Sequence, residues 1–156
     1  SNAFLGTGIA RVPEMLAAGA NVGLGTDSAA SALTIDFFEE MRFALGLARA
    51  SREDAETLTA KNVLEMATLG GATALGMADL VGSLERSKRA DMVAVDISNA
   101  LPGEDAHLSV LACSPADVRM VIVDGVEIAR DGQIAGTDME EVRVNLAERM
   151  RSEQGE

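Results

Sequence analysis

Apolar positions in the first half of this chain recur at helical spacing, whereas those of the second half fall in short β-branched runs. Pro13 stands where the first turn of a helix tolerates it and Gly19 where a helix stops, which predicts a short helix over 13–18. The apolar stretch that follows is bounded by glycine and predicts a buried strand at about 20–25. Asp36, with Glu39 three residues later, reads as a capping-box start. Behind it Phe37, Phe38, Met41, Ala44, Leu45 and Ala48 repeat at helical spacing and predict a helix from about 36 to 50. Ser51 and Asp54 suggest a further short helix. Thr59 can cap another, with Val63, Leu64 and Ala67 as its stripe and an end near Gly70-Gly71.

After residue 80 the period changes. Residues 91–96, 119–123 and 126–129 are strand-like runs. Asp124-Gly125 predicts a two-residue hairpin turn, because both positions must take positive φ, and Asp131-Gly132 repeats the signal. Thr137 and Glu140 suggest a capping box for a last amphipathic helix carrying Met139, Val142, Leu146 and Met150 on one face. The change of character lies near Gly76–Gly82. The chain therefore divides into 1–78, a β-rich part over 79–136, and a terminal helix over 137–156.

Composition narrows the picture. The 156 residues are 47% hydrophobic but only 3% aromatic, so the core must be built from Ala, Val, Leu, Ile and Met. A net charge of −12 argues against nucleic acid, which needs clustered Lys and Arg. No run approaches the roughly 18 apolar residues of a membrane span, and a signal-peptide pattern is missing. The single Cys113 excludes an intrachain disulfide and fits a reducing, cytoplasmic setting.

Candidate chemistry centres on Asp27. It ends the apolar run Val22-Gly-Leu-Gly-Thr26, and a carboxylate at the C-terminal end of a barrel or open-sheet strand faces the site of chemistry. The alternative is a turn or helix-capping residue. His107 reads as a strand-edge or loop histidine, and Cys113 as a small buried apolar residue rather than a nucleophile. Gly70-Gly71 with Gly76 lacks the preceding strand and the Lys of a phosphate loop and reads as helix breaks and close packing. Glu39-Glu40 and Glu53-Asp54 read as solvated faces, and the methionines as core.

Several segments in order carry a family likeness: Ser1-Asn2 through Gly8-Ile9, Pro13-Glu-Met-Leu16, Gly19 through Ser31, Phe38-Glu-Glu-Met41, Ala67 through Gly76, Gly82-Ser-Leu-Glu85, Lys88-Arg-Ala-Asp91 and Val118 through Gly125 with Gly132. Together they resemble the amidohydrolase superfamily. The branch is that of the S-adenosylhomocysteine and methylthioadenosine deaminases, guanine deaminases and triazine hydrolases. Ser28 and Ser87 stand where this branch often carries glycine. Ser1-Asn2-Ala3 reads either as a purification-tag remnant or as native sequence, since the family commonly has Ser-Asn there.

The resemblance implies an α/β fold: the last strand-helix unit of a (β/α)8 barrel, then the C-terminal strands of a composite β-sandwich and a terminal helix. It implies hydrolysis of a C–N bond on a purine-nucleoside-like or triazine-like small molecule by water activated on zinc or iron. Asp27 matches the metal-binding and catalytic aspartate, and Ser31 a position that can line the substrate pocket. The His-x-His pair and the further His of the family are missing, and His107 is the only histidine. A catalytic zinc takes about three protein ligands, so the 156 residues alone are expected to be inactive and metal-free. A second reading is an inert α+β module that acts by self-association or by complementing a missing partner. A lone barrel strand leaves open edges, so association through exposed strands is expected.

Overall fold

The structure is a computed structural model that describes residues 2–98 and 105–153; of the Ser1-Asn2-Ala3 motif, Ser1 lies outside them. The helical half begins with α1 (Asn2–Leu5) and α2 (Val12–Ala17), the latter with Pro13 in its first turn and Gly19 in left-handed φ just beyond its end. Residues 20–26 form neither helix nor strand, yet inner and outer positions alternate over 22–26 as they would in a strand: Val22, Leu24 and Thr26 are half-buried, Gly23 and Gly25 exposed. No strand ladder forms here, because no neighbouring strand is present among the described residues to pair with it. A one-turn α3 (Ala29–Ala32) follows.

The longest helix, α4 (Phe37–Arg52), starts where the sequence predicts. Asp36 Oδ1 accepts the Phe38 and Glu39 N–H groups at 2.8 and 3.3 Å. The reciprocal half of the expected capping box is absent: Glu39 instead accepts the Thr34 hydroxyl at 2.6 Å. Glu39 and Glu40 are half-buried rather than a solvated face. No new helix begins at Ser51, whose hydroxyl bonds back to Ala48 O within α4. Asp54 accepts the Glu56 N–H at 2.9 Å, an Asx turn that competes with helix.

Thr59 and Asn62 form a reciprocal capping box at the start of α5 (Ala60–Glu65). The helix does not break at Gly70-Gly71. It passes through a π-helical turn, Met66–Gly70, into α6 (Gly71–Ala74), and the chain leaves only at Gly76, φ +68°. Met41 and Ala48 of α4, Leu58, Ala60 and Val63, and Leu111 from the second half form the core, with Leu24, Phe38 and Leu45 packed against it. Val63 is fully buried. The methionines divide: Met41 and Met66 are core, whereas Met15 and Met150 are exposed.

Leu111 reaches that core on α7 (Ala106–Leu111), a helix that begins where Asp105 Oδ1 accepts the His107 N–H at 2.9 Å. His107 is thus a first-turn helical residue, not a strand-edge or loop one. Arg42 of α4 closes the other end, donating to Leu111 O and Cys113 O at 2.9 and 2.7 Å. Cys113 is buried, its thiol donates to Ser109 O at 3.2 Å, and burial pushes its pKa up, as suits an inert residue.

β1 (Met92–Val95), β2 (Val118–Val123), β3 (Val126–Arg130) and β4 (Gln133–Ile134) form an antiparallel sheet in the order β1-β2-β3-β4. Both predicted turns take positive φ: Asp124 and Gly125 at 51° and 79°, Asp131 and Gly132 at 45° and 79°. The first tip is latched to the Lys88-Arg-Ala-Asp91 motif, with Asp124 N–H on Asp91 Oδ1 at 2.7 Å and Gly125 N–H on Ala90 O at 3.1 Å. The chain closes with α8 (Met139–Glu153), whose cap is Asp138 rather than Thr137: Asp138 Oδ1 accepts the Glu140 and Glu141 N–H groups.

The molecule exposes 10,696 Å², where a compact monomer of 16.2 kDa exposes about 7,500 Å². None of the described sheet residues is buried. Large apolar side chains such as Leu33, Leu75, Leu84, Val93 and Val126 are left exposed.

Candidate functional site

Asp27 ends the extended segment in left-handed conformation, φ 62°, and is exposed. An L-residue with φ in that region is uncommon, and Asp is among the few that tolerate it. Oδ1 accepts the Ser28 N–H at 2.7 Å, and no partner to the other oxygen is found among the described residues. Ser28 in turn meets Ser31 hydroxyl to hydroxyl at 3.2 Å, and the Ser31 N–H donates to Ser28 O at 3.0 Å. Ser31 thus stands one α3 turn from Asp27 and is tied to Ser28, not to the carboxylate.

The segment carrying Asp27 is held by a helix instead of by strands. Leu24 N–H donates to Met66 O at 3.2 Å, at the entry to the π-helical turn, and Asn21 Nδ2 donates to Gly70 O at 2.9 Å. The approach is backbone to backbone: a Cβ on Gly70 would stand 2.4 Å from Val22 O, and one on Gly23 would stand 3.0 Å from Gly71 Cα. The sequence predicts helix breaks and close packing at Gly70-Gly71. The packing is right, and its target is the Asp27 segment. The signal was the pairing of two glycine-containing stretches, Gly23 and Gly70-Gly71, which periodicity cannot connect.

Beside this segment an open groove of about 250 Å³ runs between α1, residues 22–25 and α4, with Phe4, Ile9, Leu24, Phe43 and Leu47 among its walls. Phe4 and Phe43 meet edge to face with centroids 5.4 Å apart. The groove is apolar, and Asp27 does not line it. Among the described residues no three His, Cys, Asp or Glu side chains come together as a metal site. His107 pairs with Asp105, the residue that caps α7, Nδ1 to Oδ1 at 2.9 Å. One exposed carboxylate does not fit a divalent ion without further donors. Among the described residues no helix is long and apolar enough to cross a membrane.

The chain belongs to the amidohydrolase family, whose profile matches residues 1–128. Among its relatives, a 5-methylthioadenosine/S-adenosylhomocysteine deaminase of Desulforudis audaxviator is 46% identical over 153 residues, covering 96% of this chain and 35% of that protein. An S-triazine hydrolase of Gordonia rubripertincta is 41% identical over 134 residues, 84% of this chain and 28% of its own length. In three dimensions the chain is similar to a zinc-bound adenosine deaminase from Xanthomonas campestris, with a TM-score of 0.91 and 33% identity over 97% of this chain and 36% of that one. It is also similar to a zinc complex of an atrazine chlorohydrolase from Arthrobacter aurescens, with a TM-score of 0.84 and 28% identity over 92% of this chain and 33% of that one. The chain thus spans about a third of the length of the relatives it matches.

Proposed function

We propose that these residues form the part of a metal-dependent C–N hydrolase that supplies its strand-end carboxylate, Asp27, and that the 156 residues by themselves do not turn over substrate. In this reading 1–78 is the end of the barrel, 79–136 the β-rich part of the sandwich and 137–156 a terminal helix. The observation that carries it is the setting of Asp27. It is an exposed carboxylate at the end of a strand-like segment, in a chain whose relatives include deaminases and a triazine hydrolase. The zinc in two similar structures supports a divalent metal in the complete enzyme. The donors among the described residues do not by themselves make up its ligand set.

What Asp27 can do follows from its chemistry. Replacing a ring amine by hydroxyl requires water to lose a proton as it attacks carbon and the departing nitrogen to gain one. A carboxylate with one oxygen fixed by the Ser28 N–H and the other open can take the first proton and deliver the second. Ser31, half-buried one turn away, is the proposed pocket-lining hydroxyl. The substrate class is a purine nucleoside or triazine carrying an exocyclic leaving group. The lone buried thiol suits a reducing compartment such as the cytoplasm.

The test is deamination of 5′-methylthioadenosine and S-adenosylhomocysteine by two proteins: the 156 residues alone, and a polypeptide that also carries the missing barrel strands. The chain alone is expected to be silent. The longer polypeptide is expected to turn over and to lose at least about a thousandfold in kcat on Asp27→Ala. Turnover by the isolated chain, or an Asp27→Ala enzyme of undiminished kcat, overturns the reading.

A further inference from the structure

The π-helical turn Met66–Gly70 interrupts what is otherwise one helix from Ala60 to Ala74. Such turns are rare and concentrate at functional sites. Their hydrogen bonds span five residues instead of four, which leaves a donor from outside the helix room to reach a carbonyl. The turn is anchored. Met66 is itself buried, and fully buried Val63 lies just before it. Gly82 abuts the turn as well, where an added Cβ would stand 3.0 Å from Leu69 Cα and 3.3 Å from Thr68 O.

What the turn holds is the segment that ends at Asp27. That segment pairs with no strand among the described residues. A slide by one residue would therefore break no ladder, yet in strand-like backbone it would carry the side chains to the opposite face. Two attachments oppose the slide. Leu24, three residues before Asp27, gives its N–H to Met66 O at 3.2 Å. Asn21, six residues before it, gives its side-chain N–H to Gly70 O at 2.9 Å. The absence of a side chain at Gly70 allows this approach, because a Cβ there would stand 2.4 Å from Val22 O, about 1 Å inside ordinary contact.

On the reading of Asp27 as the carboxylate that moves protons, we infer that the Met66–Gly70 turn sets its position and that Asn21 and Gly70 are positioning residues for it. Neither residue needs to touch substrate. Both act by fixing the segment against an element that stands on the core. A displacement of about 1 Å at a reacting group costs about a hundredfold in rate, so a loosened segment is read in kcat.

The experiment uses the longer polypeptide for kinetics and the 156-residue chain for amide exchange. Asn21→Asp keeps the size of the side chain but sets a carboxylate oxygen where the donor stood. It should lower kcat about tenfold with KM within about twofold of the parent, and Gly70→Ala should lower kcat about a hundredfold. In both variants the Leu24 amide should exchange at least about tenfold faster while the Val63 amide keeps its rate. Asn21 is exposed, so Asn21→Asp spares the core and decides the matter if Gly70→Ala does not fold. Thr59→Ala, which weakens the same helix at its other end, should leave kcat unchanged. An Asp27→Ala enzyme of undiminished kcat removes the reading and the inference with it. A silent Asp27→Ala enzyme beside Asn21→Asp at full kcat overturns the inference alone. So does an unchanged Leu24 exchange rate in Asn21→Asp, or a Thr59→Ala enzyme that loses as much kcat as Asn21→Asp.

Discussion

At the residue scale, Asp27 is legible because an apolar run that stops at one carboxylate is a local pattern. The structure adds that it takes a left-handed φ and accepts the Ser28 N–H, features that a turn residue shares. What supports it was not legible: Leu24 and Asn21 find partners more than forty residues away, through a π-helical turn that no local spacing announces. Gly82 shows the same limit. It takes φ +93°, and an added Cβ would lie 2.7 Å from Ala72 Cβ and 3.0 Å from Leu69 Cα. Gly82→Ala combines left-handed strain with overpacking against backbone and should cost about 2–4 kcal/mol. Urea unfolding checks this, and a loss below about 0.5 kcal/mol would show that the contact relaxes freely.

At the element scale, caps and turns were read well where one residue type is nearly obligatory. The two Asp-Gly turns need positive φ at both positions, and the Thr59 cap satisfies an orphan N–H with its own hydroxyl. Thr59→Ala should lose about 1 kcal/mol by thermal or urea unfolding, and Thr59→Ser should retain most of it. The reading failed where tertiary contacts decide. Residues 20–25 look like a strand but lack neighbours, and α7 was missed because its stability comes from Leu111 in the core and Arg42 at its end. Just past the end of β1, Asp96 takes hydrogen bonds from Ser98 and Arg119, which hold its carboxyl well below the usual carboxylate range. The unfolded chain then binds the proton more readily than the folded one. The contribution of Asp96 is present above about pH 4 and falls away as acid is added. Asp96→Asn should flatten that acid limb, and an unchanged limb would mean that the exposed pair contributes nothing.

At the scale of the whole molecule, the excess surface unites these findings. The helical half has a small core around Val63, whereas the sheet and α8 contribute nothing buried. Composition predicted enough apolar residues for a core but could not say that much of that material would face outward, because burial depends on which other elements are present. The proposed chemistry is incomplete in the same way: Asp27 stands at the end of a strand-like segment, and no group of three His, Cys, Asp or Glu side chains that could hold a metal is found among the described residues. Zinc stoichiometry by elemental analysis tests this most directly. The 156-residue chain should hold less than about a tenth of an equivalent, whereas a polypeptide that also carries the barrel histidines should hold about one. That polypeptide should lose its zinc on Asp27→Ala. One tightly held zinc in the isolated chain, or full retention after Asp27→Ala in the longer polypeptide, would contradict the account.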